Sequence, residues 1–151
     1  MWLRYAARDL QAARDALRPG SPASPYHAAF WAQQAAEKAL KGALVYAGAR
    51  FEPTHQLNHL AAALPDGWEA RQASGTLTEL TAYGVEKRYP DLGEPEPTAA
   101  DAQRAIAQAH ALHQAVRRDL QARGFPFPTR RRRPSPAPPP PREFTEETPE
   151  P

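Results

Sequence analysis

The sequence predicts an all-α protein, an up-and-down bundle of four main helices plus one short helix, and three observations carry that prediction. Apolar residues recur at helical spacing in successive stretches of the chain. Proline, glycine and helix-capping residues punctuate the gaps between those stretches. No stretch alternates apolar and polar residues as a half-buried strand does.

The first helix is expected over Trp2 to Leu17, with Trp2, Ala6, Leu10, Ala13 and Leu17 inward and Arg4, Arg8, Arg14 and Asp15 mostly outward. Arg18-Pro19-Gly20 ends it. Ser24 is placed to cap the second helix, and Pro25 follows at the first helical position, where a missing N–H costs nothing. That helix runs to about Tyr46, with Gly48 as its stop. Thr54 is read as the cap of a short third helix, His55 to Leu64, that buries Leu57 and Leu60 before Pro65-Asp66-Gly67 turns the chain. Thr76-x-x-Glu79 has capping-box spacing and opens a fourth helix, with Leu77, Leu80 and Val85 inward and an end at Arg88-Tyr89-Pro90. Thr98-x-x-Asp101 opens the last, whose Ala102, Ile106, Ala109, Leu112 or His113, Val116 and Leu120 keep a helical period to Gly124.

Composition separates a helical domain, 1–123, from a disordered Pro/Arg-rich tail, 124–151: ten of the 18 prolines follow Arg123, beside the run Arg130 to Arg133. With 41% hydrophobic and 24% charged residues the remainder suits one core. The absence of cysteine excludes disulfides, thiolate catalysis and cysteine-ligated zinc. No apolar run approaches the roughly 20 residues that span a bilayer, and Arg4, Arg8 and Asp9 stand where a signal peptide is apolar, so a cytoplasmic protein without a membrane partner is expected. The net charge of +2 is too small to argue nucleic-acid binding by itself. In the tail, the arginines would add phosphate contacts on an extended proline spacer, or the proline run would serve as a ligand for an aromatic-lined groove, or the segment is simply solvated.

The second helix carries an anomaly. Tyr26, Phe30, Leu40 and Leu44 form one stripe, Gln33 and Glu37 fall inside it, and Gln34 and Lys41 lie at its edge. A Glu37–Lys41 pair one turn apart contributes only about 0.2–0.5 kcal/mol and does not explain a carboxylate there. Either these groups hydrogen-bond neighbouring helices, or they line a polar groove. Alanine-rich inner faces (Ala6, Ala13, Ala102, Ala109) allow close helix approach, and Trp31 and Tyr46 beside the stripe suit either a homodimer interface or the edge of the monomer core.

Four blocks, WLRYAARDLQAA, FWAQQAAEKALKGALV, THQLNHL and YGVEKRYPD, stand in an order and spacing that resemble a HEPN domain (higher eukaryotes and prokaryotes nucleotide-binding domain) of the prokaryotic stand-alone type. The resemblance covers Trp2 to about Leu120. It implies a four- to five-helix bundle, commonly dimeric, that binds nucleotide or nucleic acid and works with a separately encoded small nucleotidyltransferase, often in a toxin–antitoxin or stress-defence system. Ribonuclease members of the family carry an arginine followed after four to six residues by a histidine. Here the first histidine after Arg88 is His110, so no catalytic histidine can be carried over and an enzyme is not the leading expectation. Arginine binds phosphate but cannot serve as a base near neutral pH.

His55/His59 and His110/His113 are spaced as ligands could be, but no Asp or Glu joins them in a metal pattern, and neither GxGxxG nor GxxxxGK[ST] occurs. No metal, cofactor or catalytic triad is therefore expected. The candidate ligand groove combines Arg88 and Tyr89 with Gln33, Gln34, Glu37, Lys38 and Lys41: cations for phosphate, amides for a base or sugar, and a ring for stacking. The competing structural reading is an internal Glu37–Arg88 ion pair. The functional alternatives are a ribonuclease toxin with a rearranged site, setting Arg88 and Tyr89 against Glu37 or Lys38, and a purely structural dimerisation protein.

Overall fold

A computed structural model describes residues 1–84 and 95–127. Among these the chain is helical without strands: α1 (Trp2–Ala16), α2 (Pro25–Ala47), α3 (Leu57–Ala62), a 3-10 turn (Glu69–Ala73), α4 (Thr78–Ala82) and α5 (Ala99–Ala122).

The long helices begin and end where their local chemistry dictates. At the start of α2, the Ser24 backbone N–H donates to His27 Nδ1 at 3.3 Å, and Pro25 occupies the first helical position. Gly48 closes α2 in the left-handed region at φ 62°, where a side chain would meet its own backbone. At α5, Asp101 N–H donates to Thr98 Oγ1 at 3.2 Å while Thr98 N–H donates to the Asp101 carboxylate at 2.7 Å, a reciprocal box.

Helix α2 is the centre of the molecule. Seven of its alanines, Ala28, Ala29, Ala32, Ala35, Ala36, Ala39 and Ala43, are fully buried together with Leu40 and Leu44. Small side chains let α1 and α5 approach it closely, and at Gly42 the Trp2 side chain lies where a Cβ would stand. Trp2 beside Gly42 and the Asp9–Lys38 ion pair set α1 antiparallel to α2. The C-terminal ends of α2 and α5 meet where Tyr46 donates to the Arg123 carbonyl at 2.8 Å.

The fourth limb departs from the expectation. Of the helix expected from the Thr76 box to Arg88, the described residues form only the five-residue α4, capped by Leu77 and ending at Ala82, and a 3-10 turn that was not expected precedes it. Thr76 turns back, its hydroxyl donating to the Ala73 carbonyl at 2.8 Å, and Gly75 breaks the run at φ 92°. The broken limb still lies antiparallel along α5, through Glu69–Arg118, the Thr76 carbonyl to Gln108, and Glu79–Arg104. The third helix is shorter than expected as well, capped by Gln56; Thr54 Oγ1 instead accepts from Gln56 N–H at 3.1 Å as a local turn. The expected continuation through Val85 to Pro90, and the tail beyond Phe127, lie outside the described residues.

In α5, Leu112 and His113 are both buried, the latter against α1 with neither ring nitrogen hydrogen-bonded. Burial holds the imidazole below its ordinary pKa, aided by the charges of His110, Arg117 and Arg14, and the Leu3 backbone beside it opposes the shift without completing a bond. The folded protein thus binds fewer protons here than the unfolded chain. Stability is full above about pH 6.5, the unfolded value, and falls as pH drops below it towards the folded pKa. His113→Leu is expected to flatten urea midpoints between neutral pH and pH about 5.5 and to add roughly 1 kcal/mol at neutrality. An unchanged pH slope in that variant would remove His113 as the cause.

Candidate functional site

The polar stripe of α2 is a bonded network built around Glu37. Its carboxylate accepts from Lys41 Nζ at 2.7 Å, from Gln33 Nε2 at 3.0 Å, and from His55 Nδ1 at 3.0 and 3.1 Å to its two oxygens. Gln34 Nε2 in turn donates to Gln33 Oε1 at 2.7 Å. Gln33 is completely buried and Glu37 nearly so. Burial pushes the Glu37 carboxyl up, but the bonds from Lys41, Gln33 and His55 outweigh it and hold the group below the usual carboxylate range. The network is therefore charged and satisfied, which is how a carboxylate survives on an otherwise apolar face.

Of the residues expected in the groove, Gln33, Gln34, Glu37 and Lys41 are brought together. Lys38 is not in that network: it turns to α1 and pairs with Asp9, a nearly buried acid that sequence reading left unassigned. Arg88 and Tyr89 lie outside the described residues. Gly84, the last described residue before them, packs on the Gln33 amide so closely that a Cβ there would stand 2.6 Å from Oε1 and 2.7 Å from Nε2. The chain therefore enters residues 85–94 from the edge of the network.

His55 is the participant that sequence reading missed as a member of this site. Its side chain is 67% exposed while its Nδ1 rests on a buried carboxylate. With Nδ1 set on the Glu37 carboxylate, Nε2 is the ring nitrogen outside this contact. The only advance signal was the histidine directly after Thr54 in THQLNHL; nothing local indicated which acid it would meet. His59 is exposed and does not join, and among the described residues no three His, Asp or Glu side chains converge as metal ligands. Chemically, the site presents the Gln34 amide, the Lys41 ammonium and the His55 imidazole at one surface, with Gln33 and Glu37 buried behind them, a set suited to hydrogen-bonding a polar anion.

Comparison with known proteins bears on this geometry. The family model for the HEPN domain matches residues 1–119. Among solved structures, the chain is similar to TT1696 from Thermus thermophilus, with a TM-score of 0.65 and 30% identity over 79% of this chain and 95% of that one. Comparison with curated proteins gives no match. Among the described residues, no helix is long and apolar enough to cross a membrane.

Proposed function

The chain belongs to the HEPN family, and from that premise we propose that it is a nucleotide- or nucleic-acid-binding module whose ligand sits at the Gln33–Glu37–Lys41 network, closed on one side by Arg88 and Tyr89. The observation that supports this reading is Gly84 seated on Gln33, with Arg88 following four residues later in the sequence. Arg88 supplies a bidentate phosphate contact, Tyr89 a stacking face, and Gln34 an amide at the rim. Glu37 organises the donors and does not itself meet the anion. Lys38 acts at a distance, fixing α1 on α2 through Asp9. The module works with a separately encoded small nucleotidyltransferase in a toxin–antitoxin or stress-defence pair, as a homodimer joined at the α2 face around Trp31, which remains partly exposed beside Phe30. Tyr46 is committed within the monomer through Arg123 and Phe125 and is left out of that interface.

Fluorescence anisotropy with a labelled RNA oligonucleotide and with ATP tests the ligand site. Arg88→Ala is expected to weaken binding about tenfold or more, the loss of one charge-assisted contact. It should also lower the salt slope of RNA binding by about 1 and leave the melting temperature in place. Unchanged affinity with a large drop in melting temperature would establish the structural ion-pair reading instead.

One observation favours the second reading, a ribonuclease with a non-standard site. Glu37 orients His55 through Nδ1 and leaves Nε2 outside the contact, the arrangement by which a carboxylate fixes an imidazole for proton transfer. His55→Ala that retains RNA binding while abolishing metal-independent cleavage by the full chain would decide for it; a wild-type chain that binds RNA without cleaving it decides against it.

A further inference from the structure

Helix α5 carries a polar stripe of its own, apart from the Glu37 network. Gln103, His110, Gln114, Arg117 and Gln121 follow one another at spacings of seven, four, three and four residues, which a helix turns into one line along its surface. All are exposed except the half-buried Gln114, whose amide nitrogen lies 3.3 Å from His110 Nε2. Helix α1 brings Arg14 to the start of this line, where Arg14, Gln103 and His110 share a cleft of about 310 Å³ with Leu17, Ile106 and Ala107. Towards the other end, the Arg117 guanidinium stands 5.0 Å from the centre of the Phe127 ring, which in turn packs on Phe125.

The charges of this face are uncompensated. Arg18, Arg71, Arg104, Arg118 and Arg123 each pair with an Asp or Glu, whereas among the described residues Arg14, His110 and Arg117 meet no carboxylate, and no Asp or Glu lines the cleft. The three cations also act on one place: beyond burial, the charges of His110, Arg117 and Arg14 each disfavour protonation of the buried His113. Like charges gathered without acids repel one another, and an anion laid along them removes that repulsion. Over the 18 steps from Gln103 to Gln121 the stripe runs about 27 Å, a length that suits a row of phosphates rather than one small anion. Cations and amides that alternate along a line and end on aromatic faces are the combination by which proteins hold single strands without reading their sequence.

We propose that the α1–α5 face is a track for single-stranded nucleic acid, with Arg14 and Arg117 on phosphates, His110 and the glutamines hydrogen-bonding between them, and Phe127 stacking a base at the end. This is a second site and does not rest on a ligand at the Gln33–Glu37–Lys41 network.

Fluorescence anisotropy of the full chain with a short labelled oligothymidylate, which a ribonuclease leaves intact, tests this. Replacing Arg14 and Arg117 together with glutamine is expected to weaken binding about tenfold or more at low salt. The same variant should lower the salt slope by about 1.4, the value for two single-strand phosphates, while replacement by lysine keeps the slope. Its ATP affinity and melting temperature should stay in place, because neither arginine belongs to the Glu37 network or holds an ion pair. Phe127→Ala should weaken oligonucleotide binding by about tenfold through lost stacking. An unchanged affinity and slope in the glutamine variant, or a wild type that does not bind the oligonucleotide, overturns the proposal. An affinity of the wild type for polyglutamate equal to that for the oligonucleotide overturns it in favour of an acidic protein partner.

Discussion

Asp119→Ala is expected to lower stability by about 2–4 kcal/mol, because one side chain on α5 satisfies the backbone of the 3-10 turn 50 residues away. Its two carboxylate oxygens accept from the backbone N–H groups of Glu69 at 2.8 Å and Ala70 at 2.9 Å, and the residue is buried. Alanine would leave both donors without a partner, at about 1–3 kcal/mol for each that water cannot reach. The damage spreads through Arg123, which donates to the Asp119 backbone carbonyl at 2.9 Å, to the Gly67 carbonyl at 3.1 Å, and lies 4.3 Å from the centre of the buried Trp68 ring. Asp119→Asn keeps one acceptor oxygen and should recover part of the loss. Urea denaturation followed by circular dichroism measures both variants. A loss below about 0.5 kcal/mol for alanine, the usual range of surface substitutions, would mean that the turn does not depend on this carboxylate.

Gly84→Ala should cost a comparable amount, about 2–4 kcal/mol, for a steric reason rather than a lost acceptor. The new methyl would stand 2.6 Å from Gln33 Oε1, and the amide it strikes is fully buried and bonded on both sides, to Glu37 and from Gln34. Gln33 cannot retreat without breaking a bond to the carboxylate, so overpacking of about 1–3 kcal/mol adds to a hydrogen bond of about 1 kcal/mol. A double-mutant cycle isolates the clash: in a Gln33→Ala background the space is vacated, and the additional penalty of Gly84→Ala should largely vanish. Strictly additive losses in that cycle would show that Gly84 is constrained by something other than Gln33. The single variant should also weaken nucleotide or RNA binding, since it displaces the amide and the chain leading to Arg88.

How much of this was legible in advance follows the range of the forces involved. The ends of α2 and α5 were readable from Ser24-Pro25, Gly48 and Thr98-x-x-Asp101, because capping and the left-handed glycine stop act within a few residues of chain. The helical period alone placed Gln33 and Glu37 on a buried face, and that anomaly pointed to the candidate site. The same local logic failed in the fourth limb: Thr76-x-x-Glu79 has a box spacing, yet Gly75 and the bond from Thr76 to Ala73 close the preceding turn instead. Packing along α5 then holds a five-residue helix where a longer one was expected, and before it a 3-10 turn that no helix was expected to occupy.

The family, the all-α architecture and the polar stripe were properties of the sequence, carried by spacings of three, four and seven residues that a helix converts directly into faces. The partners were not. Glu37 meets His55 across 18 residues, Lys38 meets Asp9 across 29, and Asp119 meets Glu69 across 50. Which acid finds which donor at such separations is settled by loop closure and the packing of alanine faces. Those are sums over many weak contacts, and no local pattern encodes them.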